Sequence, residues 1–291
     1  MPAPHTIRFF RTQKVAAILF VAAFFHVASA AELKSKTTVA FDRYVAATEA
    51  RFAGELHPGG AFLYVDAFND SDKRKAYDQL KQGEILIQKL ETKASGISPE
   101  VPNGMVHHWV GLVFIPGATM AKTLPIVKDY DRRAELYKPD VAASRTLEHH
   151  GDDYKMFLRL HQKRFTTVDF NTTYDVHWGQ AGPNRFYSNS ISTRIAEIKD
   201  PNNPDSAELP VGTGHGYLWR LNTYWRFEEK DGGVYLQCEA LSLTRDIPTG
   251  LGWLLNPLVT SIPRQSLNRA LGQTRNVVQA ESKRPLNSAK Q

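Results

Sequence analysis

The sequence predicts an α+β fold, one antiparallel sheet covered by a C-terminal helix, and three observations carry that prediction. Between about residues 141 and 245, six apolar-polar alternating stretches follow one another with only turns or polar loops between them, as antiparallel strands do. The last two, in "YWRFEEKDGGVYLQCEALSLTRDIP", meet at Asp231-Gly232, a pair that adopts the positive φ angles of a two-residue hairpin turn. That register sets Phe227 beside Leu236, Trp225 beside Cys238, Leu221 beside Ser242 and Trp219 beside Thr244, and it leaves one face apolar. Finally, Leu267, Leu271, Thr274 and Val278 recur at helical spacing after Ser261 and Pro263, a stripe suited to covering that face.

The chain opens differently. Arg8, Arg11 and Lys14 precede the apolar run "VAAILFVAAFFHVASA", which ends in small residues at Ala28-Ser29-Ala30. A basic start, a short apolar stretch and a small-residue site predict a secretory signal peptide over residues 1–30, and hence an exported protein, periplasmic or secreted. The run is shorter than the ~20 residues of a bilayer-spanning helix. Loss of those three cations lowers the formal charge from +6 to about +3, so the basic balance is no argument for nucleic acid. Cys238 is the single cysteine, so an exported chain of this kind holds together by its core rather than by an internal disulfide.

Residues 31–103 form a prefix. Phe41, Val45, Thr48, Phe52 and Leu56 lie at helical spacing and "HPGG" stops the pattern; Asp70-Ser71 can cap a second helix that ends at Gly83. "EILIQKLE" reads as a short strand, expected to pair antiparallel with the next strand, "MVHHWVGLVFIPG". In that strand the even positions Val106, Val110, Leu112 and Phe114 are read as inward with His108 among them, and Trp109 and Val113 as the outer surface that receives the first helix. A helical segment from Ala118 to about Tyr137 is interrupted at Pro125. Further on, Tyr154, Met156, Leu158 and Leu160 share one strand face, as do Val168, Phe170, Tyr174, Val176 and Trp178 on the next strand.

This order, with "FIPGATMAKTLPIVKDYDRRAELYKPDVAASRTLEHHGDDYKMFLRL" as its opening, resembles the START/polyketide-cyclase superfamily, the helix-grip or SRPBCC fold. The resemblance covers roughly Met105 to Ala280 and implies a helix-grip domain over 104–283, a curved antiparallel sheet of about seven strands wrapped on a long C-terminal helix, with 31–103 as an N-terminal helical extension carrying one short strand and 284–291 as a flexible tail. It further implies a cavity between sheet and helix for a hydrophobic small molecule or lipid, with a cyclase or hydratase activity, or a non-catalytic protein-interaction role, as the alternatives. Combined with strand parity, it nominates His108, Tyr154, Phe170, Tyr174, Arg194, Trp219, Trp225, Trp253 and Leu267 as ligand-binding residues.

Other motifs point less far. His107-His108 and His149-His150 are adjacent on strands and so face opposite ways, which prevents either pair from chelating one ion; no metal or other cofactor is expected. In "RFYSNSISTRIAEI", Ser188, Ser190, Ser192 and Arg194 share a face by alternation. Facing outward they are an ordinary solvated surface, the plainer reading; facing inward they make a polar patch with a fixed cation, suited to a ligand carboxylate or phosphate. The segment around Trp253, Leu254 and Leu255 is either core that plugs one end of the sheet or a gate that touches a membrane surface transiently. No nucleophile elbow, P-loop or dinucleotide-binding glycine pattern is present.

Overall fold

The structure is a computed structural model that describes residues 31–93, 96–163, 167–203, 205–247 and 252–282, with backbone alone for 252–260. The expected signal peptide, the expected tail and the side chain of Trp253 lie outside the described residues. In chain order the elements are α1 (Ser35–Leu56), a 3-10 turn (Tyr64–Ala67), α2 (Asp70–Lys81), β1 (Leu86–Lys89), β2 (Gly104–Pro116), α3 (Met120–Val127), α4 (Arg133–Leu136), β3 (Val141–His150), β4 (Asp153–Lys163), β5 (Thr167–Gly182), β6 (Arg185–Glu197), β7 (Arg220–Lys230), β8 (Gly233–Arg245) and α5 (Gly252–Ser282).

All eight strands belong to one antiparallel sheet in the order β1-β2-β8-β7-β6-β5-β4-β3. The count is eight rather than about seven because the prefix strand joins: Leu86 to Lys89 pair with Leu112 to Trp109. The β7–β8 hairpin has the register its turn dictates, with Asp231 at φ 55° and Gly232 at φ 74°, and Trp225 opposite Cys238.

The long helix α5 buries Leu267, Leu271, Thr274 and Val278, and packs with Val113, Ile115, Leu236, Cys238 and Phe227 in the main core. It begins at Gly252, well before Pro263, and continues through both Pro257 and Pro263. Gly111 on β2 is what admits the helix so closely, since a Cβ there would stand 2.5 Å from Leu271 Cδ1. The face of the sheet toward α5 is called the inner face below.

The outer face of β2, β8 and β7 is covered by the prefix. Phe41, Tyr44 and Phe52 of α1 pack on Trp219, Tyr224, Leu241 and Leu243, while Phe62, Leu63, Val65 and Leu80 pack on Val110, Leu112, Phe114 and Tyr235. This reverses the expected parity of β2: the even positions, His108 included, lie under the prefix, and Trp109 and Val113 belong to the α5 side. Alternation cannot assign faces to a strand that is apolar on both, and β2 is sandwiched between two layers.

Two charged bridges tie the layers together. Arg226 of β7 donates to the Phe62 carbonyl (2.6 Å) and to Glu55 (2.5 Å), and Arg51 of α1 pairs with both Glu55 and Glu239. Arg226 is buried and Arg51 half-exposed, and together they fix the prefix at a defined position on the sheet.

Candidate functional site

A cavity of about 140 Å³ lies between the inner face and the helices, away from the part of the sheet that α5 contacts most closely. Its floor comes from four strands: Met156, Leu158 and Leu160 of β4, Tyr174 and Trp178 of β5, Ser188 and Ser190 of β6, and Leu221, Thr223, Trp225 and Phe227 of β7. Its roof is Val127 at the end of α3, Tyr130, Arg133 and Tyr137 in and around α4, and Thr274 of α5. Alternation explains the floor, since even positions of β4, β5 and β6 and odd positions of β7 all project inward.

The polar atoms of the roof are mostly tied to one another. Trp178 Nε1 donates to the Tyr130 hydroxyl (2.8 Å), and Tyr137 donates to Thr274 Oγ1 (3.0 Å), whose own proton goes to the Ala270 carbonyl (2.8 Å). Arg133 donates through Nη2 to the Val127 carbonyl (2.5 Å), and its guanidinium carbon lies 5.1 and 5.0 Å from the ring centres of Tyr130 and Tyr137. Among the described residues no carboxylate forms an ion pair with it.

Two donors have no partner. The Nε of Arg133 and the hydroxyl of Tyr174 are both buried without a hydrogen bond, although each belongs to a residue lining the cavity. Burial pushes the Tyr174 phenol up to about 12, the Thr172 hydroxyl on the same strand face pulling back slightly, so it stays protonated at neutral pH. Tyr130 is likewise raised by burial, against the opposing pull of Arg133. The described lining holds no carboxylate and no imidazole. Chemically the site offers apolar walls and hydrogen-bond donors.

The nominated residues fall in several places. Tyr174 and Trp225 line the cavity. Tyr154 packs edge-on against Tyr130 (ring centres 5.2 Å apart) and lines a second cleft rather than this cavity, Phe170 is buried with Val168 and Ile195 in a separate cluster, and Leu267 sits in the main core against Gly111. Three are placed elsewhere. His108 is on the outer face, bonded through Nε2 to Glu239 (2.5 Å) and through Nδ1 to Tyr44 (3.0 Å). Trp219 lies just before β7, out of its ladder, and packs under α1 with Phe41 and Tyr44. Arg194 points outward to Glu208, because β5 pairs Thr173 with Arg194 but Tyr174 with Ser192, and the extra residue Thr193 flips the parity of everything after it.

The serine row therefore faces inward, without its expected cation. Ser188 and Ser190 line the floor, and the cation of the site is Arg133 from the other side. Arg133, Tyr130 and Tyr137 all lie within the quoted run "DYDRRAELYKP". Nothing in their spacing aims them at the sheet.

A search of solved structures finds a similar layout. Among the similar structures are a STAR-related lipid transfer protein of Xanthomonas axonopodis (17% identity, 64% of this chain and 98% of that one, TM-score 0.39) and the Zhui aromatase/cyclase of Streptomyces sp. R1128 (13%, 64% and 98%, TM-score 0.42). Human STARD10 is another (9% identity, 75% of this chain and 84% of that one, TM-score 0.41). No family model and no curated protein matches the chain. These are likenesses of layout at low identity, so the chemistry of the site has to come from this chain's own residues.

A second, more open cleft of about 640 Å³ lies on the outer side between α1 and strands β3 to β6, walled by Phe52, Ala53 and Leu56. Of its carboxylates, Glu49, Glu148 and Asp153 hold partners in Tyr224, Lys155 and His177, and Asp175 is exposed to solvent. Unpaired buried donors mark the inner cavity instead.

Proposed function

We propose that the protein is a non-covalent binder of a compact hydrophobic molecule, held between the sheet and the α3 to α5 roof, and that it works outside the cytoplasm after loss of residues 1–30. The observation that carries this reading is the cavity itself, about 140 Å³ and walled by Met156, Leu158, Leu160, Trp225 and Phe227. A space of ~150 Å³ lined by apolar side chains holds a single aromatic ring, whereas sites for larger ligands run from ~300 Å³ upward. A ring or short branched chain fits; a whole phospholipid needs more room. Acid-base catalysis of the cyclase or hydratase kind is the weaker reading, since a general base must stand within hydrogen-bond reach of its proton and the described lining holds hydroxyls but no carboxylate or imidazole.

The test is occupancy. Protein recovered from its native compartment should release an apolar compound on organic extraction. A saturating apolar probe such as toluene should raise Tm by roughly 5–8 °C at about a hundredfold excess over Kd. Filling the space with Leu158→Trp should abolish that shift. An empty extract, together with no shift from toluene in the native protein, would remove the binding reading.

A further inference from the structure

We infer that the cavity selects an organic anion, a ring-sized carboxylate received by the Arg133 Nε–H and the Tyr174 O–H, an inference that rests on the binding reading above. Two independent observations converge on it. Tyr174 is 3% exposed and its hydroxyl has no partner, although a buried donor left unmade costs about 1–3 kcal/mol. Arg133, entering from α4 on the opposite wall, leaves its Nε–H unmade as well. Native proteins seldom keep such donors unless something else completes them.

The charge decides between a neutral acceptor and an anion. The Arg133 guanidinium is met by one carbonyl and the faces of two tyrosines, and by no carboxylate among the described residues. The half-buried Arg133 thus brings a positive charge to a space walled otherwise by leucine, methionine, tryptophan, phenylalanine and hydroxyl side chains. An alcohol would accept the hydrogen bonds and leave that charge unmatched. A carboxylate supplies both the acceptors, one oxygen for each donor, and the missing negative charge. Because burial holds the Tyr174 phenol up to about 12, the donor persists throughout the range in which a carboxylate is ionised.

The experiment compares benzoate, benzyl alcohol and toluene on the purified full-length mature chain at pH 7, by calorimetry and by fluorescence of Trp178 and Trp225, which line the cavity. Benzoate should bind at least about tenfold more tightly than benzyl alcohol. Arg133→Gln should bring that ratio close to one, and Tyr174→Phe should weaken benzoate roughly five- to tenfold. If Arg133→Gln does not melt cooperatively, Tyr174→Phe carries the test, since it removes one hydroxyl that makes no bond in the protein. Equal binding of all three probes, or a benzoate preference that survives Tyr174→Phe at full strength, would overturn the inference while leaving the cavity reading intact. Binding of none of them would overturn both.

Discussion

His108 and Glu239 meet on the outer side of the sheet, diagonally across the β2–β8 ladder, with Nε2 2.5 Å from Oε1 and the two side chains 2% and 1% exposed. Tyr44 of α1 closes on the other ring nitrogen, and its hydroxyl also accepts from the Thr92 amide (2.7 Å). The imidazole is thus a seam between sheet and prefix. The cavity lies on the opposite face.

His108→Phe should therefore cost stability and spare binding. Phenylalanine retains the edge-on contact with Tyr44 but withdraws a partner from the Glu239 carboxylate, whose other oxygen is already unpaired. Arg51 still holds Glu239 Oε1, so removing one of that carboxylate's two partners costs about 1–3 kcal/mol. Urea denaturation would read that loss, with toluene affinity unchanged within a factor of about two. Lost affinity at unchanged stability would put His108 in the ligand site after all.

The hairpin at Asp231-Gly232 shows what alternation and turn chemistry can settle, and β2 and β6 show where they stop. A two-residue turn admits one register, so the pairs from Leu221 with Ser242 to Phe227 with Leu236 follow from the residues alone. The same is true of the α5 stripe, where the polar residues between Leu267, Leu271 and Val278 leave a single apolar face. His108 was not assignable because Val110 and Val113 are both fully buried, on opposite faces of one strand. Arg194 was misplaced by one bulge residue, Thr193, which no local composition announces. Arg133 was missed for a further reason. It enters the site from a four-residue helix whose orientation is set by tertiary packing.

Gly111 sets the distance between β2 and α5. A Cβ there would fall 2.5 Å from Leu271 Cδ1 and 3.2 Å from Leu267 Cδ2, and both leucines are locked in the core. Gly111→Ala should cost about 1–3 kcal/mol through overpacking. Leu271→Ala alone should cost about 2–5 kcal/mol, and the double variant should be less destabilised than the sum of the two, because the new methyl occupies vacated space. Strict additivity in urea melts would mean that the helix is held off the sheet by something else.

His107 gives the stability of the fold a defined response to acid. Its side chain is 3% exposed, and its Nε2 lies 3.1 Å from Thr244 Oγ1, whose own proton goes to the Arg245 carbonyl (3.2 Å), so the imidazole is the donor between them. Burial, with a smaller contribution from the Lys89 cation, lowers its pKa to about 4, against an ordinary value of 6.5. Below pH 6.5 the unfolded chain takes up a proton that the folded chain refuses until about pH 4. The unfolded state binds more protons throughout that window, so stability falls as pH falls from 6.5 to 4 and the contribution is level on either side. The accumulated loss is about 3 kcal/mol. His107→Gln keeps a donor for Thr244 and removes the titration. Carboxylates common to both chains cancel in the difference between native and variant stabilities, measured by urea denaturation at a series of pH values. That difference should shift by about 3 kcal/mol in favour of the variant between pH 7.5 and pH 4. A difference that stays constant over that range would show that His107 is as free to protonate in the folded protein as in the unfolded chain.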